Sequence, residues 1–286
     1  MLRAPTSGGV VWLKAAGRDT AFEAELYELL QRLAPERVLT PLAVDVERAW
    51  ILLPDAGRSL GERASGRALI GGLAGALPQY GELQRDLAPH AGDLLDLGLA
   101  DMRPAAMPAR FDEALDAVEA YVRHRGGPAD RTTYDRVTKV RETVVGWCKR
   151  LAASPVQASL EHNDLHPYNI LVADDGQARF YDWGDSVVAH PFASMGLGLG
   201  FIRNQVETSE LDRLRDAYLE VFSDLGPRPE LVETLELACR VGKVARALTW
   251  QRAIGALGWD EVDDDWARGP IESMDSLLDA SYLGRT

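Results

Sequence analysis

The sequence predicts an α+β fold in two lobes, a small β-rich lobe followed by a larger, mainly helical one. Short β-rich runs crowd the start of the chain around a single amphipathic helix, and apolar residues then recur at helical spacing through most of the remainder. A compact β segment, Ala158 to Tyr181, interrupts that helical stretch. The boundary between lobes falls at Pro54-Asp55-Ala56-Gly57, dividing the chain into residues 1–56 and 57–286.

Taken in order, Leu2 to Pro5 and Val10 to Leu13 flank the turn Ser7-Gly8-Gly9 and predict a hairpin. Thr20 and Glu23 have capping-box spacing, and Phe22, Leu26, Leu29, Leu30 and Leu33 share one face of a helix that Ala34-Pro35 ends. Val38 to Val46 and Arg48 to Leu53 predict two further strands. Beyond Gly57, helices are expected to break near Pro78, between Pro104 and Pro108, and at Gly126-Gly127-Pro128. After the inserted β segment, Leu211 to Phe222 and Leu231 to Ile254 predict helices again.

With 31 Lys and Arg against 44 Asp and Glu, the formal charge is −13. That balance argues against a nucleic-acid partner, which needs a basic footprint to displace counterions from phosphates. The longest apolar run, Ala68 to Leu77, carries three glycines and is about half the ~20 residues that cross a bilayer, so no membrane segment is expected. The N-terminal stretch has no apolar core of a secretory leader. Cys148 and Cys239, far apart and outside any CxxC, are expected to be buried reduced thiols in a cytoplasmic protein.

The densest polar cluster is His162-Asn163-Asp164-Leu165-His166-Pro167-Tyr168-Asn169, followed by Asp182-Trp183-Gly184-Asp185. Between them stands Asp174-Asp175-Gly176-Gln177, a hairpin signal. If Asp175 and Gly176 are the whole loop, Asn169 lies opposite Asp182, and directly opposed side chains stand roughly 4.5–5.5 Å apart at Cβ. An amide oxygen and a carboxylate at that spacing suit a magnesium ion. Asp164, five residues before Asn169, is placed to accept a proton from an incoming hydroxyl.

The spacing H-x-D-x-x-x-x-N with a following D-x-G resembles the catalytic and metal-binding loops of the protein-kinase-like superfamily, and HNDLHPYNIL is similar to its aminoglycoside phosphotransferase branch. The resemblance spans nearly the whole chain, from Val-Trp-Leu-Lys14 onward. It implies a two-lobed protein-kinase-like fold and an ATP- and magnesium-dependent phosphotransferase acting on a small-molecule hydroxyl. By position, Asp164 would be the catalytic base, His162 a support for its loop, and Asn169 and Asp182 the magnesium ligands. Lys14 would meet the α and β phosphates, held by a glutamate of the first helix. Glu23 is the choice over Glu25 and Glu28, because Leu26 and Tyr27 follow it at i+3 and i+4 and place it on the packed face; it is also the last residue of the capping box. Leu53, Pro54 and Ala56 would form the hinge that meets adenine through backbone atoms. Asp185 would support the metal or its loop.

The sequence departs from the family pattern in two places. Only nine residues precede Val10, so the N-terminal lobe is expected to be abridged, and a nucleotide-binding scaffold without catalysis is the alternative function. Eight residues separate Asp182 from Pro191 with no Ala-Pro-Glu after them, which opposes a protein substrate. Gly196, Gly198 and Gly200 lack dinucleotide-loop spacing and predict a close helix contact. The carboxylates of Asp260 to Asp265 are expected to be solvated, with an acceptor-lining role as the alternative. Arg240, Lys243 and Arg246 form a basic stripe at helical spacing, expected on the surface, with pairing to nearby carboxylates as the alternative.

Overall fold

A computed structural model describes residues 1–283. Strand β1 (Leu2–Thr6) turns through Ser7-Gly8 into β2 (Gly9–Ala15). Gly9 holds φ 121°, a state that L side chains rarely adopt, so the tight return needs glycine there. Strand β2 pairs antiparallel with β4 (Trp50–Pro54), setting Lys14 opposite Ile51, and β3 (Ala43–Asp45) covers the far edge in the order β1-β2-β4-β3. Helix α1 (Phe22–Leu33) lies beside this sheet with Ala24, Leu26, Tyr27, Leu29 and Leu30 buried.

The remaining helices are α2 (Leu60–Arg63), α3 (Gly66–Leu87), α4 (Ala91–Asp96), α5 (Met107–His124), α6 (Pro128–Thr138), α7 (Arg141–Ala152), α8 (Ser194–Gly200), α9 (Thr208–Glu220), α10 (Arg228–Leu257) and α11 (Asp264–Asp275). Among them sits a small sheet of β5 (Ala100–Met102), β9 (Val187–Ala189) and β6 (Ser159–Glu161), β9 in the middle and parallel to β5. Strands β7 (Ile170–Val172) and β8 (Ala178–Phe180) form a separate hairpin. The architecture is α+β, a β-rich N-terminal part followed by a larger helical part. One continuous apolar core runs through both, and Val38 crosses to it by a parallel bridge with Phe180.

Several local expectations need correction. The strand expected over Val38 to Val46 is only Ala43–Asp45, because Pro41 lacks a ladder donor and Val38 turns instead toward Phe180. Pro78 does not break α3. Gln79 Nε2 donates to the Gly75 carbonyl at 2.9 Å, and a face of Leu73, Leu77, Tyr80 and Leu83 is buried along the whole helix. Packing therefore outweighs the missing amide. Strands β5 and β9 are too short, at three residues each, to show a period in the sequence. Thr20 caps nothing. It closes a preceding 3₁₀ turn, its hydroxyl donating to Gly17, and α1 begins after Ala21.

Helices α10 and α11 meet at a glycine: a Cβ added at Gly269 would stand 2.3 Å from Cγ of Trp250. That atom is the root of the indole and cannot swing away. Gly269→Ala is expected to destabilise the fold by about 1–3 kcal/mol, as overpacked cores do. In a chain of this length, about 2–4 °C of Tm is lost per kcal/mol, which differential scanning calorimetry resolves.

Candidate active site

The motif residues occupy two loops flanking the β7–β8 hairpin. Strand β6 delivers residues 162–166, with Asn163 at φ 58°, and a single 3₁₀ turn, Pro167–Asn169, leads into β7. After β8 the chain reverses at Asp182, which holds the left-handed conformation at φ 67° and ψ 58°.

The hairpin register differs from the expectation. Ile170 faces Phe180 and Val172 faces Ala178, and Ala173 N–H donates to Gln177 O at 2.9 Å. The loop is therefore Asp174-Asp175-Gly176, one residue longer, with Gly176 at φ 86°. Asn169 faces Tyr181, whose N–H donates to the Asn169 carbonyl at 3.3 Å, and the direct opposition of Asn169 and Asp182 is lost. The left-handed turn, not strand pairing, now directs the Asp182 carboxylate.

That carboxylate meets Lys14. The Lys14 ammonium also lies 2.7 Å from Glu23 Oε1, so a strand, a helix and a loop converge on one nitrogen. Glu23 is fully buried on the packed face of α1, and its side chain serves Lys14 rather than the helix end. Burial alone would lower the Lys14 pKa, but Glu23 and Asp182 more than offset it and hold the amine above its usual range.

Around Asp164 a second cluster forms. Arg246 Nη1 stands 3.1 Å from Asp164 Oδ1, and His166 Nε2 stands 3.4 Å from Oδ2. Burial pushes the Asp164 pKa upward, yet His166, Arg246 and His162 together bring it below the ordinary carboxylate range. Asn169 Nδ2 donates to the Asp164 backbone carbonyl at 3.0 Å and approaches its carboxylate at 3.3 Å. With its nitrogen so committed, the amide turns its oxygen away from these partners. His162 is buried, and burial lowers its pKa, keeping the ring neutral; Nε2–H donates to the Tyr181 carbonyl at 2.9 Å, next to Asp182.

The donor types are those a hard cation takes. Asp182 presents a carboxylate that is 46% exposed, and Asn169 a carbonyl oxygen, on neighbouring strand ends. Leu53, Pro54 and Ala56 lie elsewhere, at the far end of β4. Leu53 is buried opposite Trp12, Pro54 pairs with Val11, and Ala56 is exposed; the structure does not bring them to the carboxylate clusters.

Asp185 was expected to support the metal or its loop, and its partner Arg252 was missed in the sequence. Asp185 receives Arg252 and lies 3.7 Å from Arg246, so it anchors the loop through cations from α10. Its pKa is raised by burial, against the pull of Arg252. The basic stripe is not a surface feature; its alternative, pairing with nearby carboxylates, holds for Arg246, which reaches Asp164, while Arg240 donates to the Asp279 and Ala280 carbonyls and Lys243 to the Ser276 carbonyl. Helical spacing marked these residues as neighbours but not what they face.

Behind the loop runs a buried chain of hydroxyls. His162 N–H donates to Tyr80 Oη at 3.0 Å, Tyr80 lies 2.9 Å from Ser194 Oγ, and Ser194 donates to Glu161 Oε1 at 2.7 Å. Glu161 also accepts Asn163 N–H at 2.8 Å, and burial pushes its pKa up to about 7.

A cavity of about 840 Å³ opens beside Asn163 and Arg246, between α6, α8, α10 and α11. Gly196 and Gly200 of the glycine-rich stretch line it, and Gly196 packs against Cys239, the close helix contact expected for that stretch. Of the carboxylates between Asp260 and Asp265, only Asp265 reaches the lining; Asp263 caps α11 and Asp264 pairs with Arg125 at 2.9 Å. Cys148 and Cys239 are both free and buried.

Comparison with known proteins gives a consistent picture. The family model described as APH, phosphotransferase enzyme family, matches residues 10–231. No curated protein matches the chain. Among solved structures, the choline kinase of Streptococcus pneumoniae matches with TM-score 0.64 at 16% identity, covering 96% of this chain and 88% of that one. A Plasmodium vivax ethanolamine kinase matches with TM-score 0.66 at 11% identity, covering 94% and 76%. The macrolide 2'-phosphotransferase of Brachybacterium faecium gives 0.58 at 18%, covering 95% and 87%. At these identities the likeness is one of fold. Among the described residues, no helix is long and apolar enough to cross a membrane.

The hydroxyl chain yields a test. Tyr80→Phe leaves the His162 N–H without its acceptor and Ser194 without its donor, both buried. The expected cost is about 1–3 kcal/mol in urea denaturation, the range for an orphaned buried group.

Proposed function

The chain belongs to the APH phosphotransferase family and is a small-molecule kinase acting on hydroxyl groups, and on that premise we propose that ATP is its phosphoryl donor and Asp164 its catalytic base. The observation that carries the proposal is the convergence of Lys14, Glu23 and Asp182 beside an Asp164 held ionised by Arg246 and His166.

In this reading, residues 1–56 form the nucleotide-binding lobe and residues 57–286 the catalytic and acceptor lobe. Leu53, Pro54 and Ala56 offer backbone groups to adenine. Lys14, oriented by the buried Glu23, meets the α and β phosphates. Asn169 and Asp182 would hold magnesium, which when bound offsets the charge on the transferring phosphates. Arg246 and His166 fix the Asp164 carboxylate, so that it faces an acceptor hydroxyl entering from the cavity. The acceptor oxygen forms a bond to the γ phosphorus as the bridging bond to ADP breaks, and the hydroxyl proton passes to Asp164 and then to water. His162 holds the Tyr181 carbonyl and so fixes the turn at Asp182. Buried free thiols suit a reducing cytoplasm.

Asp164→Asn is expected to abolish phosphoryl transfer, read as ADP release with a responsive acceptor, while calorimetric binding of Mg-ATP stays close to wild type. Transfer that survives this change removes Asp164 from the base role. A pH profile gives an independent check. Because Asp164 titrates below the ordinary range, wild-type kcat/KM should hold to acid pH and fall only once the carboxylate protonates. Arg246→Gln removes a charge that favours the ionised form, so the acid limb should move to higher pH; an unmoved limb would sink the assignment.

A further inference from the structure

Lys243 projects from α10 into the 840 Å³ cavity, one helical turn before Arg246, which touches Asp164. Its ammonium donates to the Ser276 carbonyl at 2.7 Å, and among the described residues it has no carboxylate partner within ion-pair distance. Two of its three N–H donors therefore remain for a ligand. The other lining cations are differently placed. Arg268 is engaged by Asp130 and Glu272, and Arg246 by Asp164 and Asp185. The lining carboxylates Asp130, Glu272 and Asp275 meet arginines in turn, and Glu161 is sealed by Ser194 and Asn163 N–H.

We propose that Lys243 is the acceptor-binding residue for a carboxylate, so that the substrate of this kinase is a hydroxylated carboxylic acid rather than a cationic amino alcohol or aminoglycoside. The proposal rests on the phosphotransferase reading given above and names the substrate class for it. A half-buried ammonium with two unused donors is costly to keep, and a bound anion offsets that cost. Burial lowers its pKa to about 8 even though the charge of Asp279 pulls the other way. One ammonium with two free donors matches a monoanionic carboxylate. A phosphate dianion would face Glu161, Asp275 and Asp279 in the same lining without a second unengaged cation. Lys243 stands one helical turn from Arg246, the residue that touches Asp164, so the carboxylate and the reacting hydroxyl belong at separate ends of the acceptor. Trp250 and Phe201 supply apolar walls for the skeleton between them.

The chain has only four lysines, Lys14, Lys139, Lys149 and Lys243, so ¹³Cε-lysine labelling gives a spectrum in which Lys243 is assigned by its loss in Lys243→Met. The probes are hydroxy acids from glycolate to 6-hydroxyhexanoate, their methyl esters, the amino alcohols of equal length, and inorganic phosphate. Each is titrated into the intact protein and, separately, assayed for ATP-dependent ADP release. The longer acids, but not their esters or amines, should shift the Lys243 signal and raise its titration midpoint. They should also be the preferred acceptors, and Lys243→Met should raise their KM about tenfold or more with a smaller change in kcat. A Lys243 signal indifferent to every acid, a response to phosphate alone, or preferential turnover of amines would overturn the proposal. A Lys243 response to the acids without ADP release from any probe would uphold the carboxylate seat and count against the phosphotransferase reading instead.

Discussion

The site is organised by a single nitrogen, the Lys14 ammonium held between Glu23 and Asp182. These three residues come from the second strand, the first helix and the turn after the β7–β8 hairpin, and no backbone ladder joins those elements directly at this point. Glu23 has no exposed surface, so its charge depends on Lys14 for compensation; a buried carboxylate without its partner carries a desolvation penalty of several kcal/mol. The pair therefore fixes how α1 lies against the N-terminal sheet. Asp182 adds a second constraint by tying the sheet to the loop that follows β8. Its left-handed backbone would be strained for most residues and is tolerated by aspartate, whose short polar chain suits that region. Gly184 completes the arrangement: a Cβ there would stand 3.1 Å from Glu23 Oε2.

A second layer governs the loop that carries Asp164. Here the backbone is held by single hydrogen bonds, beside the ion pair that Arg246 makes with Asp164. Tyr80 from α3 receives the His162 amide, and Glu161 receives the Asn163 amide, so two consecutive backbone groups are fixed from opposite sides. Asn163 then spends its own side chain on Thr249 and the Asp185 carbonyl, which locks the loop to α10. That helix is the source of Arg246 and Arg252, both of which act on the aspartates of the two loops. The charge state of Asp164 is thus set jointly by its near neighbour His166 and by a helix more than sixty residues away in sequence. Local motif residues place the carboxylates, and partners from distant helices adjust their electrostatics.

That division explains how far the sequence could be read. The hairpins, the α1 face and the two polar loops announced themselves through turns, period and motif spacing, each a short-range signal. The pairing of Lys14 with Glu23 was legible because Leu26 and Tyr27 showed which face of α1 is packed. The choice between one-residue alternatives was not. Asp174-Asp175-Gly176 holds a loop of two or three residues equally well in composition, and that single residue moved Asn169 from facing Asp182 to facing Tyr181. Pro78 misled for the opposite reason, since a local breaking tendency yielded to long-range burial along α3.

The cavity beside Arg246 lies furthest from what sequence alone discloses, because α6, α8, α10 and α11 contribute to it from stretches with no shared pattern. Formal charge is an especially poor guide there. A strongly acidic chain with a carboxylate-rich segment before α11 suggests a cationic ligand, yet most of that segment is spent on capping α11 or pairing outside the cavity. The basic stripe of α10 divides into three separate tasks within two turns: Arg240 holds the C-terminal backbone, Lys243 faces the cavity, and Arg246 faces Asp164. What matters for recognition is the charge left over once internal partners are subtracted. Subtraction of that kind requires the folded arrangement, because no pattern in the sequence shows which of these side chains meet one another.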